Sequence, residues 1–127
     1  HVDAEGVVPA AAVLDRLPAR VERILLRTLV RPDWGRWPTG FRALDPALID
    51  ALAARGCRLI ATDAPSVDPE HCKLLRSHQA CHRAGMAILE GVVLDGIPEG
   101  RYELIALPLP IAGVEATPVR AILRELA

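Results

Sequence analysis

The order of apolar and polar residues predicts two helices in the first half of the chain. Residues 9–17 are rich in Ala, Val and Leu at helical spacing and end at Pro18, which is typical of a short helix. In residues 45–56, Asp45 is placed to cap a second helix and Pro46 suits its first position. Four apolar residues then follow at the spacing of one helix face before a glycine ends the pattern: Leu48, Ile49, Leu52 and Ala53.

Runs of branched apolar residues predict the strands. Residues 20–30 are dense enough in Val, Ile and Leu for a strand covered on both faces, and residues 58–62 form a shorter run. A strand, a helix and a strand in this order predict a parallel βαβ unit. Residues 86–94 and 102–109 predict two more strands, the first of them interrupted by a Glu-Gly pair.

The remaining segments are less regular. Residues 31–41 combine Pro and Gly with two Trp, which predicts an ordered loop that is a candidate for function. Residues 70–83 predict a helix ended by a glycine, and residues 96–100 predict a turn. Residues 118–126 fit a strand or a helix, and the pattern alone does not choose between them.

Length and composition are those of one folded domain, so we predict that residues 1–127 form a single domain. The 127 residues are 51% hydrophobic and 24% charged, which is enough apolar material for a core. The net charge of −1 and the few aromatic residues disfavour nucleic-acid binding. No apolar run approaches the roughly 20 residues of a membrane span, so we expect a cytoplasmic protein that binds no membrane.

The cysteines and the first residues add two expectations. The three cysteines contain no Cys-x-x-Cys pair and are predicted to be reduced thiols, without a disulfide framework: Cys57, Cys72 and Cys81. The chain starts at His1 and runs into Gly6 without a tag-like spacer, which suggests an internal segment of a longer protein.

Side chains that can bind a metal ion are concentrated between residues 63 and 90. They are Asp63, Asp68, His71, Cys72, His78, Cys81, His82 and Glu90. His78 and His82 are four residues apart, so on a helix they share a face from which two imidazoles can reach one ion. Pairs at this spacing are more often solvated or structural, so the signal by itself is weak.

Glu90 interrupts an apolar run that we expect to be buried. A buried carboxylate must be paired, bound to a metal or protonated, because otherwise its burial costs on the order of several kcal/mol. One interpretation is an ion pair with Arg76 or Arg83. The other is that Glu90 and one histidine bind a metal across the junction between helix and strand. The residues alone leave both interpretations open.

Other candidates carry weaker signals. Asp63 follows a predicted parallel strand, where open α/β sheets place their ligands, but its Asp-Ala-Pro-Ser sequence favours a capped turn. No feature near the cysteines predicts a lowered thiol pKa, so a cysteine nucleophile is disfavoured. Trp34 and Trp37 can line an apolar pocket for an aromatic ligand, contact another subunit or pin their loop to the core, and the sequence does not choose.

Several short segments occur in a distinctive order along the chain. They are Ile24-Leu25-Leu26-Arg27-Thr28, Gly56-Cys57-Arg58-Leu59-Ile60, Thr62-Asp63-Ala64-Pro65-Ser66-Val67-Asp68-Pro69, then His78, then Ala87-Ile88-Leu89-Glu90-Gly91. This order resembles the later half of the bacterial kynurenine formamidases, in the metal-dependent cyclase family. Pro98 to Leu109 and the closing Pro118-Val119-Arg120-Ala121 are similar to the formamidase branch in particular. The resemblance runs from Arg20 onward.

The resemblance implies a fold and a metal site. The fold is α/β, a cyclase-like (swivelling β/β/α) arrangement with a mixed sheet flanked by helices, here without its N-terminal half. His78 and Glu90 fall where the family has a zinc-ligating histidine and glutamate, which favours the metal interpretation of Glu90. One or two zinc ions are implied, another divalent metal is an alternative, and Glu90 is a candidate bridge. His82 matches no ligand, and residues 118–123 correspond to a strand.

One family motif has no counterpart in this chain. The other ligands and the acid/base histidine belong to His-x-Gly-Thr-His-x-Asp-x-Pro-x-His, and His1-Val2-Asp3-Ala4 matches only its middle, which we interpret as coincidence. The resemblance as a whole implies hydrolysis of N-formyl-L-kynurenine to L-kynurenine and formate, a step of tryptophan degradation. Because the motif with the acid/base histidine is missing, we expect little activity from these residues alone. The alternative is a non-catalytic binding or assembly module in which Glu90 is salt-bridged.

The expected partners follow from the same resemblance. We expect a small-molecule substrate and either a homodimer or a complex with the missing half. Loss of half of the fold would leave sheet edges and apolar surface exposed, and such surfaces associate.

Overall fold

The computed structural model describes residues 6–29, 33 and 35–126. The chain divides into two compact units, His1–Asp95 and Gly96–Ala127. That the two units make one domain stays a prediction. Residues His1–Ala4, Val30 and Trp34, for which the sequence raised specific expectations, lie outside the described residues.

The first unit alternates strands and helices. Its elements are β1 (Val7–Val8), α1 (Ala10–Leu14), β2 (Arg23–Leu26), β3 (Ala43–Leu44), α2 (Pro46–Ala54), β4 (Leu59–Thr62), α3 (Arg76–Arg83) and β5 (Ala87–Leu89). Strands β2, β4 and β5 form a parallel sheet with β4 in the middle, and β1 pairs with β3 in parallel. The predicted βαβ unit is confirmed, because α2 lies between the parallel strands β2 and β4 along the chain.

Helix α2 begins where its capping sequence predicts. The Asp45 carboxylate accepts a hydrogen bond of 2.8 Å from the Ala47 N–H, which satisfies one of the free donors of the first turn. Three residues of the apolar face of α2 have no exposed surface, Leu48, Ile49 and Leu52, and Ala53 is half-buried. Gly56 follows with a φ of +85°, a left-handed conformation that costs a glycine little. The helix therefore supplies a rigid layer over the sheet.

The core of the first unit is formed by apolar residues from both helices and strands. Its buried members are Val8, Val13, Val21, Ile24, Leu44, Leu48, Ile49, Leu52, Cys57, Ile60, Val67, Ala80, Cys81 and Met86. The central strand β4 is covered most completely, since Ile60, Ala61 and Thr62 have no exposed surface. The carboxyl end of β4 and the loop after it are thus fixed against the core.

Two predicted strands are shorter than expected. Of the described residues 20–29, only Arg23–Leu26 forms a strand, and Arg23 is exposed while Leu25 and Leu26 are half-buried. The expectation of full cover on both faces is therefore wrong for β2. In the segment 86–94, β5 ends at Leu89, because the Gly91 N–H donates to the Ala64 carbonyl oxygen at 2.9 Å instead of continuing the strand.

Helix α3 also differs from its prediction. It begins at Arg76, six residues later than the segment 70–83 suggested, and Leu75 before it has a φ of 46°. Turns occupy the intervening residues, beginning with the Cys72 N–H donating to the Pro69 carbonyl oxygen at 2.9 Å. The predicted stop is confirmed, since Gly85 has a φ of +60°.

The second unit is an antiparallel hairpin. Strands β6 (Tyr102–Pro108) and β7 (Val119–Glu125) pair along their whole length, with Ile105 opposite Ile122. The segment 118–126 is therefore a strand, as the resemblance implied. With parallel strands in the first unit and antiparallel strands in the second, the α/β class is confirmed. None of the helices in residues 6–29, 33 and 35–126 is long and apolar enough to cross a membrane.

Candidate metal-binding site

His78 is the third residue of α3, and a buried carboxylate fixes the start of that helix. The Ser77 N–H donates to Asp68 Oδ1 at 2.9 Å, and the His78 N–H donates to Asp68 Oδ2 at 3.0 Å. These N–H groups belong to the first turn, where a helix has no carbonyl partners of its own. Asp68 therefore sets where α3 begins and hence where the imidazole of His78 lies.

The same carboxylate also contacts the imidazole. Asp68 Oδ2 lies 2.7 Å from His78 Nδ1, and the Asp68 side chain is only 2% exposed. Burial alone raises the pKa of Asp68, but hydrogen bonds from the backbone of Ser77 and His78 and from the His78 ring outweigh it, so the pKa is lowered. An ionised carboxylate only accepts, so Nδ1 carries a proton, and in the neutral imidazole Nε2 then presents a lone pair.

Glu90 lies directly after β5 and faces Nε2 of His78. The Val67 N–H donates to Glu90 Oε1 at 2.8 Å, and the same Oε1 lies 3.5 Å from His78 Nε2. The side chains of His78 and Glu90 are 35% and 30% exposed. The expectation that Glu90 is buried is therefore wrong, because β5 ends one residue earlier and leaves the carboxylate at a partly open edge.

The separation of these two atoms suits a shared metal ion. Two ligands at about 2.0–2.2 Å from one tetrahedral zinc lie about 3.3–3.5 Å apart. A 3.5 Å separation is long for a direct charge-assisted hydrogen bond, which is typically about 2.7–2.9 Å. The chemistry of the donors also fits, since zinc in proteins accepts imidazole nitrogen and carboxylate oxygen.

The pair does not make a complete site by itself. Among residues 6–29, 33 and 35–126, no three His, Cys, Asp or Glu side chains are grouped so that they could hold a metal ion. Catalytic zinc usually has three protein ligands. His78 and Glu90 therefore fit part of a coordination shell, with Asp68 as the group that orients the histidine.

The alternative partners proposed for Glu90 lie elsewhere. In the part of the chain that the structure describes, neither Arg76 nor Arg83 makes an ion pair with Glu90. Arg83 instead places Nη2 at 3.8 Å from Asp50 Oδ1. His82, the other histidine of the helical pair, is exposed, and so is His71. The structure thus brings His78 to Glu90 and leaves His71 and His82 on the surface.

Asp63 has a structural role at the end of β4. The Thr28 N–H and hydroxyl both donate to Asp63 Oδ1 at 2.7 Å, and the Leu29 N–H donates to Oδ2 at 3.1 Å. Asp63 is only 3% exposed. The sequence favoured a local turn at Asp63. In the structure the carboxylate instead accepts hydrogen bonds from Thr28 and Leu29, the residues that follow the neighbouring strand β2.

The cysteines give no sign of nucleophilic chemistry. Burial raises the pKa of Cys57, and burial together with the nearby charge of Asp68 raises the pKa of Cys81 to about 11. Cys72 is half-buried, and all three thiols are free. A thiol with a raised pKa has little thiolate at neutral pH, which agrees with the sequence interpretation.

Trp37 borders a pocket next to this site. Its indole is 63% exposed, and its Nε1–H donates to Glu70 Oε1 at 3.2 Å. The pocket has a volume of about 370 Å³, and Pro65 and Gly91 also line it. Of the three roles considered for Trp37, pinning the loop to the core does not fit an exposed ring, whereas lining a pocket does.

Sequence reasoning missed the roles of Asp68 and Val67. Asp68 was noted only as one of several possible ligands, and its contacts with Ser77 and His78 span nine and ten residues. No local pattern marks a cap at that distance, because the turns between Pro69 and Leu75 bring the carboxylate back to the helix. The Val67 N–H is a backbone donor and has no signature in the sequence.

Comparison of the sequence with known proteins identifies relatives of this chain. A scan of family models found no match. The chain is 56% identical over 106 residues to a kynurenine formamidase of Sphingopyxis alaskensis and 54% identical over 104 residues to one of Maricaulis maris. These matches cover 84% and 82% of this chain but 51% and 50% of the relatives. The chain therefore spans about half the length of the curated relatives it matches.

Two solved structures share the fold. One is described as a predicted metal-dependent hydrolase from Bacillus stearothermophilus, with a TM-score of 0.75, 23% identity, and coverage of 92% of this chain and 56% of that one. The other, a potential metal-dependent hydrolase with cyclase activity, has a TM-score of 0.61 and 31% identity over 66% of this chain and 41% of that one. The resemblance to the kynurenine formamidases of the metal-dependent cyclase family, with a cyclase-like fold, is therefore confirmed over most of this chain.

Proposed function

We propose that this chain takes part in the metal-dependent hydrolysis of N-formyl-L-kynurenine to L-kynurenine and formate, with His78 and Glu90 as two of the ligands of a zinc ion. The observation that carries the proposal is the 3.5 Å separation of His78 Nε2 and Glu90 Oε1, with Asp68 behind the imidazole. The names of the two bacterial relatives support the substrate, and the names of the solved structures support a metal.

The residues of this chain prepare the ligand atoms. Asp68 holds a proton of His78 on Nδ1, which leaves Nε2, the ring atom that faces Glu90, as the nitrogen that can bind a metal. The Val67 N–H fixes the Oε1 atom of Glu90 on the side of the imidazole. When bound, a zinc ion would lower the pKa of water toward neutrality and polarise the formyl carbonyl.

The remaining parts of the reaction are assigned to residues outside this pair. Protonation of the departing aniline nitrogen requires a general acid, and we propose that it and the other ligands belong to sequence beyond these 127 residues. This agrees with a chain that spans about half of its relatives. We therefore expect weak or no activity from this chain alone. We also expect it to be a cytoplasmic protein that forms a homodimer or a complex with the complementary half.

Zinc binding tests the site directly. The affinity of the purified chain for zinc is measured by competition with a chromophoric chelator, for the unaltered protein and for His78→Ala and Glu90→Gln. We expect both variants to lose most of the affinity. His82→Ala is the matched control, since it removes an exposed histidine from the same helix and should leave affinity unchanged. Equal affinity in all four proteins would overturn the assignment of the ligands.

Formate release tests the reaction. The chain is mixed with a separate polypeptide that carries the unmatched half of one of the bacterial relatives, and formate is measured after addition of N-formyl-L-kynurenine. We expect release only from the mixture, and loss of release with Glu90→Gln.

A second function fits the described residues equally well. In the described residues the chain shows two ligand side chains and no group of three, which suits a binding or assembly module as well as half an enzyme. Absence of formate from a mixture that forms a stable complex would favour the module.

A further inference from the structure

We infer that the pocket beside Glu90 binds an aromatic α-amino acid, with Arg36 taking its carboxylate and Trp37 stacking on its ring. The inference rests on the proposed function and deepens it, since it names the residues that would recognise the part of the substrate that does not react. The pocket is formed by residues from three segments of the first unit, those that follow β2, β4 and β5, and its lining includes Asp33, Arg36, Trp37, Asp63, Pro65 and Gly91.

The size and walls of the pocket fit a planar ring. Its volume is about 370 Å³, which lies in the range of small-molecule sites, about 300–1,000 Å³. Pro38 and Pro65 give rigid apolar walls. The Trp37 indole is 63% exposed, yet its Nε1–H is bonded to Glu70, so an open aromatic face is held in one position. A fixed and exposed indole is suited to stacking against another aromatic ring.

The charged groups of the pocket fit the other end of an amino acid. Arg36 Nε lies 3.8 Å from Asp33 Oδ2, and the two side chains are 86% and 70% exposed. A loose pair of this kind contributes little to stability, so either partner can exchange it for a ligand group at small cost. A guanidinium matches a carboxylate in two parallel hydrogen bonds, and the Asp33 carboxylate complements an ammonium group. The Asp63 carboxylate also lines the pocket, but it already accepts hydrogen bonds from Thr28 and Leu29. Arg36 and Asp33 are therefore the cation and the anion that remain for a zwitterion.

The pocket and the metal-binding pair share their loops. Gly91 lines the pocket and directly follows Glu90, and its N–H donates to the Ala64 carbonyl oxygen at 2.9 Å. Three residues further along the same loop, Val67 holds Glu90 Oε1. A ligand bound in the pocket is thus adjacent to the segment that carries Glu90.

Calorimetric titration tests the inference on the zinc-loaded chain. The probes are L-kynurenine and kynuramine, which has the same ring and amine without the carboxylate. We expect L-kynurenine to bind, and kynuramine to bind about 10-fold or more weakly, because a hydrogen-bonded charge is lost. Arg36→Gln should weaken the binding of L-kynurenine by about the same factor and leave the binding of kynuramine unchanged. Trp37→Ala should weaken the binding of both probes.

Arg83→Gln is the matched control, because Arg83 also forms an exposed pair with an aspartate at 3.8 Å but does not line the pocket. It should bind both probes as the unaltered chain does. Equal binding of the two probes, or L-kynurenine binding unaffected by Arg36→Gln, would overturn the inference while zinc affinity and formate release still support the proposed function. If the chain did not bind zinc but still preferred L-kynurenine to kynuramine, the proposed function would be overturned and the inference about the pocket would be supported.

Discussion

Asp68 and His78 are joined twice, because Oδ2 of the carboxylate accepts from the His78 backbone N–H at 3.0 Å and lies 2.7 Å from Nδ1 of the imidazole. One buried carboxylate therefore fixes both the start of α3 and the orientation of the ring that the helix carries. This arrangement couples the fold to the candidate site. A change at residue 68 should affect both, and the two effects can be measured separately.

Asp68→Asn should weaken zinc binding by about 10- to 100-fold, the usual effect of removing a group that orients a metal-bound histidine. The amide cannot accept at both of its terminal atoms, so the imidazole is no longer held with its proton on Nδ1. The measurement is competition with a chelator, accompanied by urea denaturation to follow stability.

Ser77→Ala separates the two effects of Asp68. The Ser77 hydroxyl donates to the Leu44 carbonyl oxygen at 2.7 Å and is buried, but it does not contact the imidazole. Ser77→Ala should lower stability by about 1–3 kcal/mol, because that carbonyl loses its buried donor, and should leave zinc affinity unchanged. If both variants lost zinc affinity equally, the role of Asp68 would be structural alone.

Thr28→Val should destabilise the first unit by about 1.5–3 kcal/mol, the range for a hydrogen bond to a charged group. Valine has nearly the shape of threonine but lacks the hydroxyl that donates to the buried Asp63 carboxylate at 2.7 Å. The free energy of unfolding is measured in urea. Thr39→Val, at an exposed position, is the control and should change stability little. Equal effects of the two substitutions would show that the hydroxyl of Thr28 is not important.

Leu75→Gly should stabilise the chain by about 0.5–1 kcal/mol. Leu75 has a φ of 46°, a left-handed conformation that costs residues with a Cβ about 1–2 kcal/mol but costs glycine little. Part of that gain is lost because glycine has more freedom in the unfolded chain. Leu75 is 46% exposed, so the loss of its side chain removes limited packing. Leu75→Ala keeps the strain and should not stabilise, which thermal denaturation of both variants can establish.

The sequence predicted the elements whose cause is local. Asp45, Pro46 and the apolar face of α2 lie next to one another, and the helix begins where they indicate. The strand pairing of β2 with β4 also follows from the chain order of two strands around a helix.

The sequence could not predict the features that depend on distant contacts. The start of α3 is set by Asp68 across a series of turns, so the helical pattern from residue 70 was misleading. The burial of Glu90 was overestimated because β5 ends when Gly91 bonds to the loop after β4. His78 and Glu90 were named from family resemblance, whereas the 3.5 Å separation that makes them a pair is visible only in the structure.

Stability should fall at alkaline pH through Cys81. Burial, with a contribution from the charge of Asp68, raises the pKa of the Cys81 thiol from its ordinary value of 9.0 to about 11. The folded chain therefore disfavours the thiolate. The stabilisation is complete below about pH 9 and is lost as the pH rises toward about 11, amounting to a loss of about 1 kcal/mol by pH 10.

Urea denaturation at pH 7, 8.5 and 10 under reducing conditions measures this dependence. Cys81→Ala lowers stability at every pH because it leaves a small cavity, but its stability should decline less between pH 8.5 and 10 than that of the unaltered chain. Cys72→Ala is the control, since Cys72 is only half-buried and its removal should preserve the original decline. Parallel curves for the unaltered chain and Cys81→Ala would mean that the thiol is not excluded from ionising by the fold, because only the difference between folded and unfolded pKa values makes stability depend on pH.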